Sequence, residues 1–153
     1  MVDDVDVKLV KLLAQDSRLS IRMLARELGL APSTIHSRLR KLMETGLIKR
    51  FTVAPDYEKL GFSLTALILL QVEGEKILDV GEYIARDPRV MQVYDITGDY
   101  DLAVVAKFRN IDELDSFIKT VNRMKFVKRS VTSLSLRTIK EDFISPLLRS
   151  DNA

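Results

Sequence analysis

Residues Ser20 to Phe51 constrain this chain more than any other stretch. Two short segments with apolar residues at helical spacing are joined by Gly29-Leu30-Ala31, and Gly46 then introduces the basic run Leu47-Ile48-Lys49-Arg50-Phe51. In the first segment Ser20 stands where a side-chain oxygen caps orphan amides, and Ile21, Leu24, Ala25 and Leu28 share one face. Gly29 offers the left-handed residue that ends a helix. Pro32 suits the first turn of a second helix, because its missing N–H would lack a partner there, and Ile35, Leu39 and Leu42 form that helix's inward stripe. The order predicts a helix-turn-helix followed by a wing strand over Leu47–Phe51, with duplex DNA as the partner.

At about 100° per residue, Ser33, Ser37 and Arg40 lie opposite the inward stripe. His36 falls at one edge of that outer face, with Thr34, Arg38 and Lys41 toward the other. Arginine presents two parallel donors to guanine, and short hydroxyls approach phosphate or base edges, so this face suits a groove. Arg40 is the candidate base contact. Arg38 and Lys41 are candidate phosphate contacts, His36 is a further candidate, and Lys49 and Arg50 add positive charge from the wing. A basic outer face also serves as a plain solvated surface; the turn, the proline-started helix and the wing together favour DNA.

Charge placement agrees with that reading. Between Ser17 and Arg50 eight basic residues oppose only Glu27 and Glu44, a local balance of +6 inside a chain whose net charge is +2. Phosphate attraction depends on where positive charge is concentrated. Upstream, Val5, Leu9, Leu12 and Leu13 predict another amphipathic helix, with Asp3, Asp4 and Asp6 complementing its positive N-terminal end. This helix closes a three-helix core.

The 153 residues, 46% of them hydrophobic, suffice for two small domains. The absence of cysteine excludes disulfides, thiolate catalysis and the common cysteine-ligated metal sites, and is compatible with a reducing cytoplasm. The most apolar run, Leu64 to Val72, is too short to cross a bilayer, so a soluble cytoplasmic protein is expected. Disorder is expected only at the extreme C-terminus, from Arg149 to Ala153.

Helical periodicity stops at Ala54-Pro55-Asp56-Tyr57-Glu58-Lys59-Leu60-Gly61, which reads as a linker. Beyond it, Leu64–Val72 reads as a strand, Lys76–Ala85 as a helix with Ile77, Val80, Gly81, Ile84 and Ala85 inward, and Val90–Ile96 as a strand. Leu102–Phe108 is a third strand, Ile111–Met124 a helix with Asn110 and Glu113 as a capping-box variant, and Val127–Ile139 a long strand. Two right-handed crossovers in this βαββαβ order give a four-stranded antiparallel sheet with both helices on one face, the ferredoxin-like plan. The predicted class is therefore α+β: a winged helix-turn-helix over residues 1–53, a linker over 54–61, a ferredoxin-like domain over 62–142 and a tail over 143–153. Leu64 to Leu70 shows little alternation, as for a strand buried on both sides. The sheet's second face is therefore expected to pack against another copy, making a homodimer; the plainer alternative is cover by the chain's own N-terminal domain.

Apart from the short C-terminal tail, the whole chain resembles the Lrp/AsnC family of amino-acid-responsive transcription regulators. The resemblance rests on Val2-Asp3-Asp4-Val5-Asp6, on the block from Gly29 to Leu42, on Gly46-Leu47-Ile48-Lys49-Arg50-Phe51, and on Thr97-Gly98-Asp99-Tyr100-Asp101 before an apolar strand. One departure is Ala31, where members commonly carry a capping serine; such a loss costs about 0.5–2 kcal/mol. The family implies an N-terminal DNA-binding domain and a C-terminal effector and oligomerisation domain, assembled as dimers that can form octamers.

The Gly98-Asp99-Tyr100-Asp101 turn is first a tight connection between strands. By resemblance it also borders the effector pocket, where turn amides would meet an α-carboxylate and Asp99 or Asp101 an α-ammonium group, with Tyr100 as a wall. Ser130, Thr132 and Ser133 match the region that contributes polar contacts from a neighbouring subunit, although hydroxyls there also occur as plain surface groups. No cofactor is expected beyond the effector. Two other readings stand beside the regulator: an effector-independent architectural DNA binder, and a small enzyme using Asp99 and Asp101 as acid and base. The enzyme reading is weakened because the sole histidine, His36, sits in the DNA-facing helix and no phosphate-cradling glycine loop is present.

Overall fold

The computed structural model describes residues 2–148; Arg149 to Ala153, where disorder is expected, lie outside the described residues. The chain divides into two units, one holding residues up to Ala54 together with those from Lys140 onward, the other Pro55–Ile139.

Three helices build the first unit: α1 (Asp4–Gln15), α2 (Ile21–Leu28) and α3 (Pro32–Glu44). Ser20 Oγ accepts the Met23 N–H at 3.2 Å, and Gly29, at φ 64°, ends α2 in the left-handed conformation that glycine adopts without Cβ strain. Ala31 supplies no side-chain cap to α3, which starts on Pro32. Leu9 and Ile35 are fully buried, with Leu13, Leu24, Ala25 and Leu42 completing the core between the helices. Each such leucine or isoleucine side chain stabilises the unit by about 1.5–3 kcal/mol relative to exposure. A short helix, α6 (Ser145–Leu148), contacts α1, so the segment expected as a tail belongs to this unit.

The wing differs from expectation. Leu47–Phe51 forms no strand: Ile48 is anchored by its N–H to the Leu42 carbonyl at 3.0 Å, and the chain then runs exposed through Phe51 and Val53. A strand needs a paired edge, and among the described residues this unit contains no other strand to supply one.

The second unit has β1 (Leu64–Val72), α4 (Ile77–Ala85), β2 (Val90–Asp95), β3 (Leu102–Phe108), α5 (Ile111–Asn122) and β4 (Val127–Leu134). The strands lie in the order β2-β3-β1-β4 with every neighbour antiparallel, which is the ferredoxin-like arrangement. Ala66, Ile68 and Leu70 of β1 and Val104, Ala106 and Phe108 of β3 are fully buried, packed with Val80 and Ile84 of α4 and Phe117 and Val121 of α5. Ala85, expected inward, is exposed. Asn110 Oδ1 caps the Glu113 N–H at 2.9 Å, but the returning Glu113 carboxylate takes the Arg109 N–H, one residue earlier than a capping box requires.

The sheet's other face shows the alternation that the apolar sequence of β1 conceals. Leu67 is 44% exposed and Leu69 half-buried, flanked in register by Val105 and Val131. Within this unit the Pro55–Gly61 segment covers that face only at its Thr65–Lys107 end, where Tyr57 packs on Lys107, and Leu67 remains open. β4 ends at Leu134 rather than Ile139, because after Ser135 N–H donates to the Thr65 carbonyl at 2.8 Å the β1 edge is used up, and Leu136 is 98% exposed. At the other end, Pro55–Gly61 is a packed turn rather than a free linker. Lys107 sits over the Tyr57 ring and donates to Thr65 Oγ1 at 3.2 Å, and Arg109 stacks on Phe62 while donating to the Leu60 carbonyl.

Candidate nucleic-acid interface and effector turn

The outer face of α3 is set by the inward anchors Ile35 and Leu42, which fix the helix rotation about its axis. Ser33, His36, Ser37, Arg40 and Lys41 are exposed on it and Thr34 is half-buried. Arg40 reaches Glu44 only at 3.8 Å with both side chains about two-thirds exposed, an arrangement that leaves its donors available to a ligand. Lys49 and Arg50 are exposed on the irregular segment after α3. Ser33, Thr34, Ser37, Arg38, Lys41 and Asp3 line a shallow depression of about 460 Å³ on this face.

Arg38 is placed differently from its neighbours. Its Nη1 donates at 2.7 Å to Asp3 Oδ2 and at 2.7 Å to Asp6 Oδ1. Asp6 is 2% exposed and stands in the first turn of α1, at the positive helix end where the sequence places it. The two aspartates also cap α1 reciprocally, Asp3 Oδ1 accepting the Asp6 N–H at 2.8 Å and Asp6 Oδ2 the Asp3 N–H at 3.2 Å. The Asp6 N–H, and then the guanidinium, hold the Asp3 carboxyl below its usual range, while both carboxylates raise Arg38. Sequence reasoning placed Asp6 at the helix start but missed its reciprocal cap with Asp3 and its pairing with Arg38; the cap alone had a signal, the Asp-x-x-Asp spacing before an apolar run, which is a capping-box pattern.

In the second unit, the turn from Ile96 to Asp101 joins β2 to β3 and is closed by the Ile96 N–H donating to the Asp101 carbonyl at 2.9 Å. Gly98 has φ 116°, a conformation that side-chain-bearing residues resist, with open space where a Cβ would stand. Asp99 is exposed and Tyr100 half-buried. Asp101 is tied inward: its N–H donates to the Leu70 carbonyl at 2.9 Å, and its Oδ2 accepts the Val72 N–H at 2.7 Å. The side chain thus extends the β1–β3 ladder beyond its last backbone pair, Leu70 with Leu102.

The three β4 hydroxyls are not equivalent. Ser130 donates to Asn122 Oδ1 on α5 at 2.7 Å, whereas Thr132 and Ser133 are exposed on opposite faces of the strand. An apolar groove of about 220 Å³ between α4 and β2 is lined by Leu78, Gly81, Val93 and, at the base of the turn, Asp95 and Leu102. Among the described residues no group of side chains is arranged to hold a metal ion, and no helix is long and apolar enough to cross a membrane.

A three-helix unit with an exposed basic helix, joined in one chain to a separate sheet domain carrying a polar turn, defines a DNA-binding regulator with its own ligand-binding domain. Family models agree along the chain: one described as winged helix-turn-helix DNA-binding matches residues 2–49, and one described as the Lrp/AsnC ligand binding domain matches residues 65–144. The chain belongs to the Lrp/AsnC family. An HTH-type transcriptional regulator of Pyrococcus furiosus is 45% identical to it over 142 residues, covering 93% of this chain and 96% of that protein. The HTH-type transcriptional regulator FL11 of Pyrococcus horikoshii is 38% identical, covering 95% and 97%. The structure of the transcriptional regulator NMB0573 in complex with L-Met, from Neisseria meningitidis, shares the fold with a TM-score of 0.81 at 23% identity, covering 97% of this chain and all of that one.

Proposed function

We propose that this chain is a sequence-specific transcription regulator whose DNA binding or assembly is tuned by an amino acid, acting as a symmetric oligomer in the cytoplasm and catalysing no reaction. The observation that carries the DNA reading is the outer face of α3, where exposed hydroxyls and cations stand opposite a fully buried anchor, Ile35. Arg40 addresses a base edge, Ser33, Thr34, His36 and Ser37 lie at groove depth, and Lys41, Lys49 and Arg50 take phosphates.

The effector site is proposed at Gly98-Asp99-Tyr100-Asp101, completed by Thr132 and Ser133 from a neighbouring subunit, with Ser130 behind them. The amino-acid class is supported by the exposed Asp99 and the partly occupied Asp101 carboxylate of that turn, which suit an α-ammonium group, and a regulator of the same fold has been crystallised with L-methionine. No other cofactor is called for. The partly exposed leucines and valines of the open sheet face support a homodimer formed face to face, from which octamers assemble.

A thermal-shift screen of the amino acids, followed by DNA binding with each hit, tests the proposal. A hit that changes affinity for a selected duplex supports it. DNA binding that no amino acid alters would favour the effector-independent architectural reading, and turnover of the hit would favour an enzyme.

A further inference from the structure

The sequence places Arg38 on the DNA-facing side of α3 with Lys41, and its charge belongs to the local excess of +6. Its surroundings assign it other work. The guanidinium spans two carboxylates, one of them on a side chain only 3% exposed, and those carboxylates already cap each other's backbone at the start of α1. With the cap N–H groups accepted by one oxygen of each aspartate, the second oxygen of each converges on the same Arg38 nitrogen. Two negative charges face one positive charge, so this cluster offers no net attraction to phosphate. Bringing Arg38 out to DNA would strand Asp6 buried and unpaired, which is strongly unfavourable.

We infer that Arg38 is a positioning residue that pins the recognition helix to the capped start of α1, and that it does not contact the DNA backbone. The inference rests on the DNA-reading assignment of α3 and refines it. Ile35 and Leu42 set the rotation of α3 through apolar packing, which is non-directional; the Asp3–Asp6–Arg38 cluster adds a directional tie along the flank of that stripe, Arg38 lying one turn from each anchor. Lys41, one turn further along, remains the phosphate contact on this side.

The two roles give opposite results when the tie is cut. The probe is a duplex recovered from a randomised pool by the wild-type protein, with affinity measured across a series of salt concentrations at a temperature where circular dichroism shows each variant folded. Lys41→Ala is the reference and flattens the dependence of log Kd on log salt by about one. If Arg38 positions the helix, Arg38→Met leaves that slope at its wild-type value while affinity falls roughly tenfold at every salt concentration and base preference broadens at several positions together. Asp6→Asn also weakens binding, and the double variant loses no more than either single one. Asp3→Asn, at the half-exposed partner, gives a smaller loss in the same direction and keeps the test available if the buried substitutions disturb folding. The inference is overturned if Arg38→Met flattens the slope by about one, or if Asp6→Asn or Asp3→Asn tightens binding and steepens the slope, as freeing a phosphate-binding arginine would. A wild-type protein without duplex affinity would instead overturn the DNA-reading assignment itself.

Discussion

Asp101 offers the sharpest separation of structure from ligand recognition. Its Oδ2 accepts the N–H of Val72, a residue 3% exposed at the end of β1, beyond the last β1–β3 backbone pair. Asp101→Ala removes the acceptor and leaves that amide unsatisfied, at about 1–3 kcal/mol. In a domain of this size each kcal/mol shifts the melting temperature by about 4–8 °C, so the alanine variant should melt roughly 4–24 °C lower. Asp101→Asn keeps an acceptor oxygen and exchanges a charge-assisted bond for a neutral one, costing about 1 kcal/mol and about 4–8 °C. Its effect on effector binding should be larger in proportion. If the carboxylate meets an α-ammonium group, removing its charge at 1–2 kcal/mol lowers affinity about five- to thirtyfold. Scanning fluorimetry reads the first quantity and titration calorimetry with the amino-acid hit reads the second. An alanine variant that melts like the wild type would show that the Val72 bond contributes nothing, and undiminished ligand affinity in Asp101→Asn would transfer the ammonium role to Asp99 or to another site.

Arg40→Ala should relax preference at one base position per half-site, by about 1–3 kcal/mol, in selection from a randomised duplex; an unaltered profile removes Arg40 from the reading set. Residues 55–139 expressed alone should fold and self-associate, and Leu67→Lys should make that fragment monomeric by sedimentation, since it places a charge at the centre of the open face; a wild-type fragment that is monomeric at micromolar concentration refutes the face-to-face contact. Gly98→Val should cost about 1–3 kcal/mol through its left-handed backbone, measured by denaturant melts, while DNA affinity is retained. Asp87 carries a pH dependence. The Arg89 guanidinium holds its carboxyl below the ordinary value of 3.8, so the pair's contribution is complete above that value and is lost as pH falls through the lower folded pKa. The gap in melting temperature between wild type and Asp87→Asn should therefore be widest near neutrality and close under acid; a gap that widens in acid contradicts the assignment.

What could be read in the chain and what could not divide along physical lines. Helix caps, the Gly29 turn and the apolar stripes are local, and they place α2 and α3 within a residue or two and identify α1 by its stripe. The βαββαβ order follows from element type and the handedness of crossovers, and the sheet adopts it. Strand ends depend instead on partners distant in sequence: Leu47–Phe51 has strand-forming residues but no edge to pair with, and β4 stops where β1 runs out. The same limit governs the side chains. Nothing in the spacing of Asp6 and Arg38, 32 residues apart, shows that they meet. Asp101 looks like a free carboxylate until Val72 is seen beside it, and Ser130 like a surface hydroxyl until Asn122 is.

The packing of α6 on α1 makes the DNA-reading unit discontinuous in the chain, with the whole sheet domain inserted between its two parts. On a ribosome adding about 5–20 residues per second, the segment from Lys140 emerges at least roughly 4–17 s after Ala54, so the helix-turn-helix spends that interval without its last packing partner. A reading frame cut short after the sheet domain would release a molecule with α3 intact and one side of α1 uncovered. Fusing a reporter or solubility partner directly behind β4 would have the same effect, so tags belong on the flank beyond Leu148 or ahead of α1.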